Sequence, residues 1–242
     1  MRLIQDFMMT IPSKSGLNRV PMVPMQDAQV LSPRSRRVSV CFDRRQFVAA
    51  MVALPALHLD AQTSMPRRLT PGQTEGPFYP VALPQDNDSD LLRNGTLSYT
   101  RGQPTWVEGV VSDQDGKPVR GAQVEIWQCD EAGRYHHPRD GGHADAAFQG
   151  FGRTAVDADG RYRFRTIRPV PYTGRTPHIH VKVRLTSRLL LTTQLYVHGD
   201  PGNNRDGLWR SLGSDEDRAA VTVPFVAVGD GLRAFFPIVV TA

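Results

Sequence analysis

The sequence predicts an all-β protein, a β-sandwich with long irregular loops, and three observations carry that expectation. From Thr105 onward, short stretches of alternating apolar and polar residues recur between turn signals. The turns have a physical basis: Asp115-Gly116, Asp159-Gly160 and Gly199-Asp200-Pro201-Gly202 supply positive or preset φ. No sustained helical stripe competes with the strands. The expected strands are 106–112, 123–128, 161–166, 178–185, 192–197, 219–227 and 234–240. Between Arg134 and Gly152 lies a long loop without evident secondary structure, the kind that is usually functional or mobile.

With 242 residues, 40% of them hydrophobic, the chain can bury one full core. Its formal charge of +5 is unevenly placed: residues 1–61 hold 8 Lys and Arg against 4 Asp and Glu, the remainder 21 against 20. The basic balance therefore belongs to the leader, and no basic face with interleaved aromatics argues for nucleic acid. Residues 1–43 lack periodicity and read as disordered. Within 43–62, Arg44 and Arg45 precede an apolar run from Phe47 to Leu57 that is too short to span a bilayer. That is the layout of a twin-arginine export signal, so the expectation is a leader over 1–61, one domain over 62–242, and a periplasmic or extracellular product. No other segment is suited to stable membrane insertion. Cys41 and Cys129 are the only cysteines, and Cys41 falls in the leader. One remaining thiol builds neither an intramolecular disulfide nor a cysteine metal site, and Cys129, near Trp127 at a strand end, reads as a small buried residue.

The chemistry concentrates in Y-T-G-R-T-P-H-I-H, residues 172–180. His178 and His180 stand two apart on an alternating strand, so both imidazoles leave the same sheet face. An ordinary exposed strand face would also carry such a pair. Tyr135 and Tyr172 complete an unusual candidate set of two phenols and two imidazoles. A phenol ionises near 10 and needs a strongly acidic cation to bind as phenolate at neutral pH. Ferric iron, hard and trivalent, suits that set better than zinc, copper, calcium or magnesium. His136, His137 and His143, in the long loop, are expected to face solvent.

Five pieces of the chain resemble the intradiol ring-cleavage dioxygenases: T-P-G-Q-T-E-G-P-F-Y-P at 70–80, a prealbumin-like sandwich hairpin ending in E-I-W-Q at 125–128, G-R-Y-H-H at 133–137, the stretch 152–172, and R-T-P-H-I-H with T-T-Q-L-Y-V-H-G-D over 175–200. The resemblance implies a catalytic domain over 62–242 with one non-haem Fe(III) per chain. Tyr135 and His178 would be equatorial ligands, Tyr172 and His180 axial ones, and a solvent hydroxide the fifth. It implies cleavage of a catechol between its two hydroxylated carbons by O2, giving a cis,cis-muconate-type diacid. Tyr172 would take one catechol proton, Arg175 would stabilise negative charge on the ring, and Gln194 would orient the ring. Tyr79 and Trp127 match positions at or near the substrate pocket, although large aromatics in β proteins also fill cores.

The chain departs from the family pattern in three places. It shows no N-terminal helical segment of the kind that dimerises catechol 1,2-dioxygenases, which leaves homo-oligomerisation open. The T-G-R-T-P link between Tyr172 and His178 is short, which predicts an open pocket. His198 has no assigned role. Two other readings compete: a non-catalytic prealbumin-like binding module, and a cupin-type H-x-H site. The second lacks the carboxylate such sites need, because Arg184 and Leu185 occupy that region.

Overall fold

A computed structural model describes residues 65–242. The expected leader and export signal lie outside the described residues. A short hairpin, β1 (Arg93–Asn94) and β2 (Leu97–Ser98), precedes the long strand β3 (Pro104–Ser112). There follow β4 (Ala122–Trp127), β5 (Phe151–Ala155), β6 (Arg161–Ile167), β7 (His178–Leu185) and β8 (Arg188–Val197). Two short helices, α1 (Gly207–Arg210) and α2 (Asp215–Ala220), lead to β9 (Thr222–Val223), β10 (Phe225–Val228), β11 (Gly231–Phe235) and β12 (Ile238–Val239).

Alternation decides the layers. In β3, Thr105, Val107, Gly109 and Val111 are buried while Trp106, Glu108 and Val110 are only partly so, as period two requires of a strand with one face on the core. β3 pairs antiparallel with β6 on one edge and parallel with β11 and then β12 on the other; β10 completes this sheet beside β11. The second sheet runs β5-β4-β7-β8-β9. Val107, Val111 and Phe164 from the first sheet join Val124, Ile126, Ile179, Val181 and Leu195 from the second in one buried cluster, each side chain contributing about 1.5–3 kcal/mol. The all-β sandwich expected from the sequence is the fold observed.

The second sheet differs in its outer face. Register aligns Trp127 of β4 with His180 of β7, and His180 with Gln194 of β8; Glu125 stands opposite Lys182, and His178 opposite Tyr196. These side chains point away from the sandwich core, yet all except Trp127 and Tyr196 are polar or charged, and every one is buried. A strap of chain over residues 70–80 covers them. Gln73 N–H donates to the Thr192 carbonyl at 2.8 Å, the Thr193 hydroxyl to the Pro71 carbonyl at 2.7 Å, and the Gln194 amide to the Thr74 carbonyl at 3.2 Å.

Three sequence expectations need correction. Residues 219–227 are not one strand: α2 runs to Ala220, followed by two short strands. Ser214 caps that helix by accepting from Asp217 N–H, with Asp215, Glu216 and Asp217 in its first turn, an N-terminus signature outweighed in reading by the apolar run after it. Residues 234–240 break at Phe236-Pro237 because proline has no N–H to donate. The long loop contains a 3-10 turn, Pro138–Asp140, and its last two residues already belong to β5.

The break before β12 also explains Gly109. A Cβ there would lie 2.0 Å from the Phe236 carbonyl oxygen, which accepts the Tyr162 hydroxyl at 2.6 Å. Gly109→Ala is expected to destabilise the domain by about 3 kcal/mol through overpacking against backbone, read as a lowered urea midpoint with an unchanged m-value.

Candidate metal centre

β7 brings His178 and His180 to one face, both about 1% exposed, with their Nε2 atoms 3.2 Å apart. His178 Nδ1 lies 2.7 Å from the Thr176 carbonyl. A carbonyl only accepts, so Nδ1 carries the proton and Nε2 the lone pair. Tyr135 arrives from the loop after β4. Buried Asp130 shapes that loop: its carboxylate accepts from the N–H groups of Ala132, Arg134 and Asp145 at 2.8–3.0 Å, and Asp140 accepts from Tyr135 N–H at 2.6 Å. Tyr172 sits at the start of a tight turn in which Arg175 N–H donates to the Tyr172 carbonyl at 2.7 Å. Thr173 at φ 25° and Gly174 at φ 75° make that turn.

The four rings close into a cycle. Centroid separations are 5.1 Å for Tyr135–Tyr172, 5.4 Å for Tyr172–His178, 4.8 Å for His178–His180 and 6.1 Å for His180–Tyr135. Among the described residues no three His, Cys, Asp or Glu side chains form a metal site, so a metal held here draws on the phenols. The donor set fits one. The Tyr135 hydroxyl is buried without a hydrogen-bond partner, and the two imidazole Nε2 atoms face each other at 3.2 Å. A cation between them would satisfy all of these groups.

The electrostatics agree. Burial, with the Arg175 cation adding to it, pushes the His178 imidazole down to about 3. Burial and the neighbouring His178 hold His180 well below the ordinary range. Both are therefore neutral ligands at neutral pH. Burial drives the Tyr135 phenol well above 10, with Tyr172 adding to the effect. Burial also raises Tyr172, while the Arg175 guanidinium pulls against it. Only a strong Lewis acid would hold these oxygens as phenolates.

Arg175 forms the second half of the site. Its Nε donates to Asp206 Oδ2 at 2.7 Å and its Nη2 to Gln194 Oε1 at 2.6 Å. Gln194 also accepts the Tyr196 hydroxyl at 3.0 Å, and Tyr196 in turn accepts from Gln73 at 3.1 Å. Asp206 caps α1, taking the N–H groups of Leu208 and Trp209 on its other oxygen. Burial would raise this carboxyl, but the bonds from Arg175, Trp209 and Thr176 outweigh it and hold Asp206 below 3.8. Tyr172 and Arg175 open onto a cleft of about 410 Å³ that also includes Thr173, Gly174, Arg168 and Arg205. The short link therefore lines the cleft with a threonine and a glycine, in keeping with the open pocket read from the sequence.

The structure thus brings Tyr135, Tyr172, His178, His180 and Arg175 together, while Gln194 reaches the cleft only through Arg175. Trp127 and Tyr79 stand close to the four rings but do not line the cleft of Tyr172 and Arg175. Trp127 stacks on His180 at 4.8 Å and 10° and lines a smaller pocket of about 140 Å³ beside Tyr135. Tyr79 lines neither space; its hydroxyl donates to Glu125 at 2.9 Å, and burial with that bond pushes it up to about 12. His137 is buried, contrary to expectation: it caps the 3-10 turn and packs edge-on against Phe78 at 5.7 Å. His136 is exposed overall but bonds the Phe148 carbonyl through Nε2 at 2.6 Å; His143 and His198 are exposed. Sequence reasoning missed Gln73, Phe78, Tyr196 and Asp206. Only the density of functional groups within 70–80 hinted at the first two.

Neutral buried histidines make metal-free protein acid-sensitive. Unfolded, they protonate near 6.5, while His178 in the fold resists until about 3. Their contribution is therefore present above 6.5 and lost as pH falls from there towards 3. Urea midpoints of metal-free protein are expected to decline from pH 6.5 downward, and His178→Gln to flatten that decline.

A family model described as a dioxygenase matches residues 74–216. The protocatechuate 3,4-dioxygenase beta chain of Burkholderia cepacia is 42% identical over 127 residues, 47% of this chain and 53% of its own length. The 6-chlorohydroxyquinol 1,2-dioxygenase of Cupriavidus pinatubonensis is 30% identical over 191 residues, covering 70% of this chain and 67% of its own. Among solved structures, the dioxygenase domain of a dioxygenase carbohydrate-binding protein fusion from Streptomyces sp. SirexAA-E aligns with a TM-score of 0.57 at 33% identity, over 71% of this chain and 97% of that domain. The chain spans about half the length of most curated relatives it matches. The matched segment carries all four rings and Arg175 on this sandwich, and the chain belongs to the intradiol ring-cleavage dioxygenase family.

Proposed function

We propose that the protein is a ferric, non-haem intradiol dioxygenase, which opens a catechol between its hydroxylated carbons and places both atoms of O2 in a cis,cis-muconate-type diacid. The cycle formed by Tyr135, Tyr172, His178 and His180, with its unpartnered phenol and facing nitrogens, carries this reading. These four side chains would hold one Fe(III) per chain. The bound ion supplies a Lewis acid able to take both catechol oxygens and withdraw electron density from the ring.

The protein's own groups do the rest. Tyr172 is half-buried on the cleft side, so its Oη is the ligand oxygen within reach of an entering catechol and is placed to take one of its protons. Arg175 also faces the cleft and is always charged; Asp206 and Gln194 hold it in one orientation, so its field on developing ring charge needs no reorganisation. Phe78, stacked on Tyr135 at 4.6 Å, and Trp127, stacked on His180 at 4.8 Å, hold those two rings in place from the side away from Arg175. Gln194, Tyr196 and Asp206 are positioning residues that act through Arg175. Residues 43–62 are proposed as a twin-arginine export signal, a route that carries folded, metal-loaded proteins.

Iron-loaded protein is expected to show a visible tyrosinate-to-iron charge-transfer band and to consume a catechol with O2. Tyr172→Phe should weaken that band and lower turnover. A colourless protein without stoichiometric iron, indifferent to Tyr172→Phe, would favour the binding-module reading. Arg175→Lys keeps the charge but loses the two-sided grip, and is expected to lower kcat by about 10² with a smaller change in KM.

A further inference from the structure

Lys182 is the least expected group on the buried face of the second sheet. It stands two residues from His180, on the same side of β7, with its side chain 2% exposed. Lysine is seldom buried at this depth without a partner. Here its ammonium pairs with Glu75, lies 3.3 Å from the centre of the Tyr79 ring and 5.5 Å from that of Trp127. Only the lysine is buried, since the Glu75 side chain is 45% exposed, and withdrawing a charge from water rarely adds net stability over an apolar residue of the same volume. Its use is better sought in geometry.

The strap over 70–80 is held on both sides of this pair. Upstream, Gln73 N–H bonds the Thr192 carbonyl at 2.8 Å. Downstream, the Tyr79 hydroxyl bonds Glu125 at 2.9 Å. The Glu75–Lys182 pair lies between them, in the segment that touches the site. There the Thr74 carbonyl accepts from the Gln194 amide at 3.2 Å, which turns Gln194 Oε1 towards Arg175 and Tyr196. A Cβ on Gly76 would stand 3.2 Å from His180 Cε1, so the strap backbone lies close against that imidazole. Phe78 stacks on Tyr135. One ion pair thus sits among contacts to two ligand rings and to the arm that carries Arg175.

We propose that the Glu75–Lys182 pair is a clasp that positions the metal centre, pressing the strap down so that its backbone and Phe78 fix His180, Tyr135 and the Gln194–Arg175 arm. This rests on the ferric reading above. Lys182 and Glu75 are positioning residues: neither touches the four-ring cycle through its own polar atoms.

The test uses full-length protein loaded with ferric iron. Glu75→Gln keeps the shape and removes the charge, Lys182→Met empties the clasp, and Arg233→Gln, which breaks the Arg233–Glu108 pair on the other sheet, is the control. The expected result is iron release to a ferric chelator on the order of tenfold faster in both clasp variants. A shifted charge-transfer band and a larger loss in kcat than in KM should accompany it, with the control unchanged. If Lys182→Met fails to fold, Glu75→Gln decides alone, because the Glu75 side chain is 45% exposed and tolerates the change. Wild-type release rate and band in folded Glu75→Gln overturn the clasp. If wild-type protein takes up no iron, the ferric reading falls instead. Hydrogen exchange at residues 74–78 of metal-free protein then decides: faster exchange in Glu75→Gln supports the clasp, and unchanged exchange overturns it.

Discussion

A sheet face that carries His178, His180, Lys182, Gln194 and Glu125 cannot simply be left in water if it is to hold a metal, and cannot be buried without partners. Much of the structure is the solution to that constraint. The inner face of the same strands, with Ile179, Val181 and Leu195, is anchored in the sandwich core, so the polar face is fixed in register from behind. The 70–80 strap then covers it from the front. Most polar groups on this face are paired by the arrangement, and the unpartnered Tyr135 hydroxyl stands beside the two facing imidazole Nε2 atoms.

Satisfaction of the surrounding groups also makes the site directional. Thr176 sets the His178 tautomer, Thr74 sets the orientation of the Gln194 amide, and Asp206 and Gln194 aim the Arg175 guanidinium. Each of these is a hydrogen bond of 2.6–3.2 Å. In such surroundings the fold itself orients the side chains that would hold a metal, so a bound ion would add charge to an arrangement largely built by folding.

The two sides of the centre differ in character. On the Tyr172 side the wall is a short turn of Thr173 and Gly174 with three arginines around an open cleft. On the Tyr135 side it is aromatic and nearly closed, with Phe78, Trp127 and Phe151. The wider of the two spaces lies on the first side, about 410 Å³ against about 140 Å³ on the second. The short T-G-R-T-P link contributes to the openness, since it sets only Thr173 and Gly174 directly after the phenol.

The sandwich and the His178–His180 pair were legible in the chain itself, because period-two alternation and a two-residue histidine spacing are local properties, whereas Tyr135, Tyr172 and Arg175 took their roles from the resemblance of the motifs around them. The helix 215–220 was legible too, through Ser214 and its acidic turn, but the apolar run after it read more strongly as strand. Other features depended on register and on a distant segment folding over a sheet. Nothing in the sequence near Lys182 shows that Glu75, 107 residues away, would neutralise it. Nor does anything near Arg175 point to Asp206. The sequence left Tyr79 and Trp127 open between pocket and core, and only tertiary structure stacked Trp127 on His180 and paired Tyr79 with Glu125. Local pattern decides which face a side chain leaves from; what waits on that face is set by long-range packing, and that is where the protein's second layer of control was written.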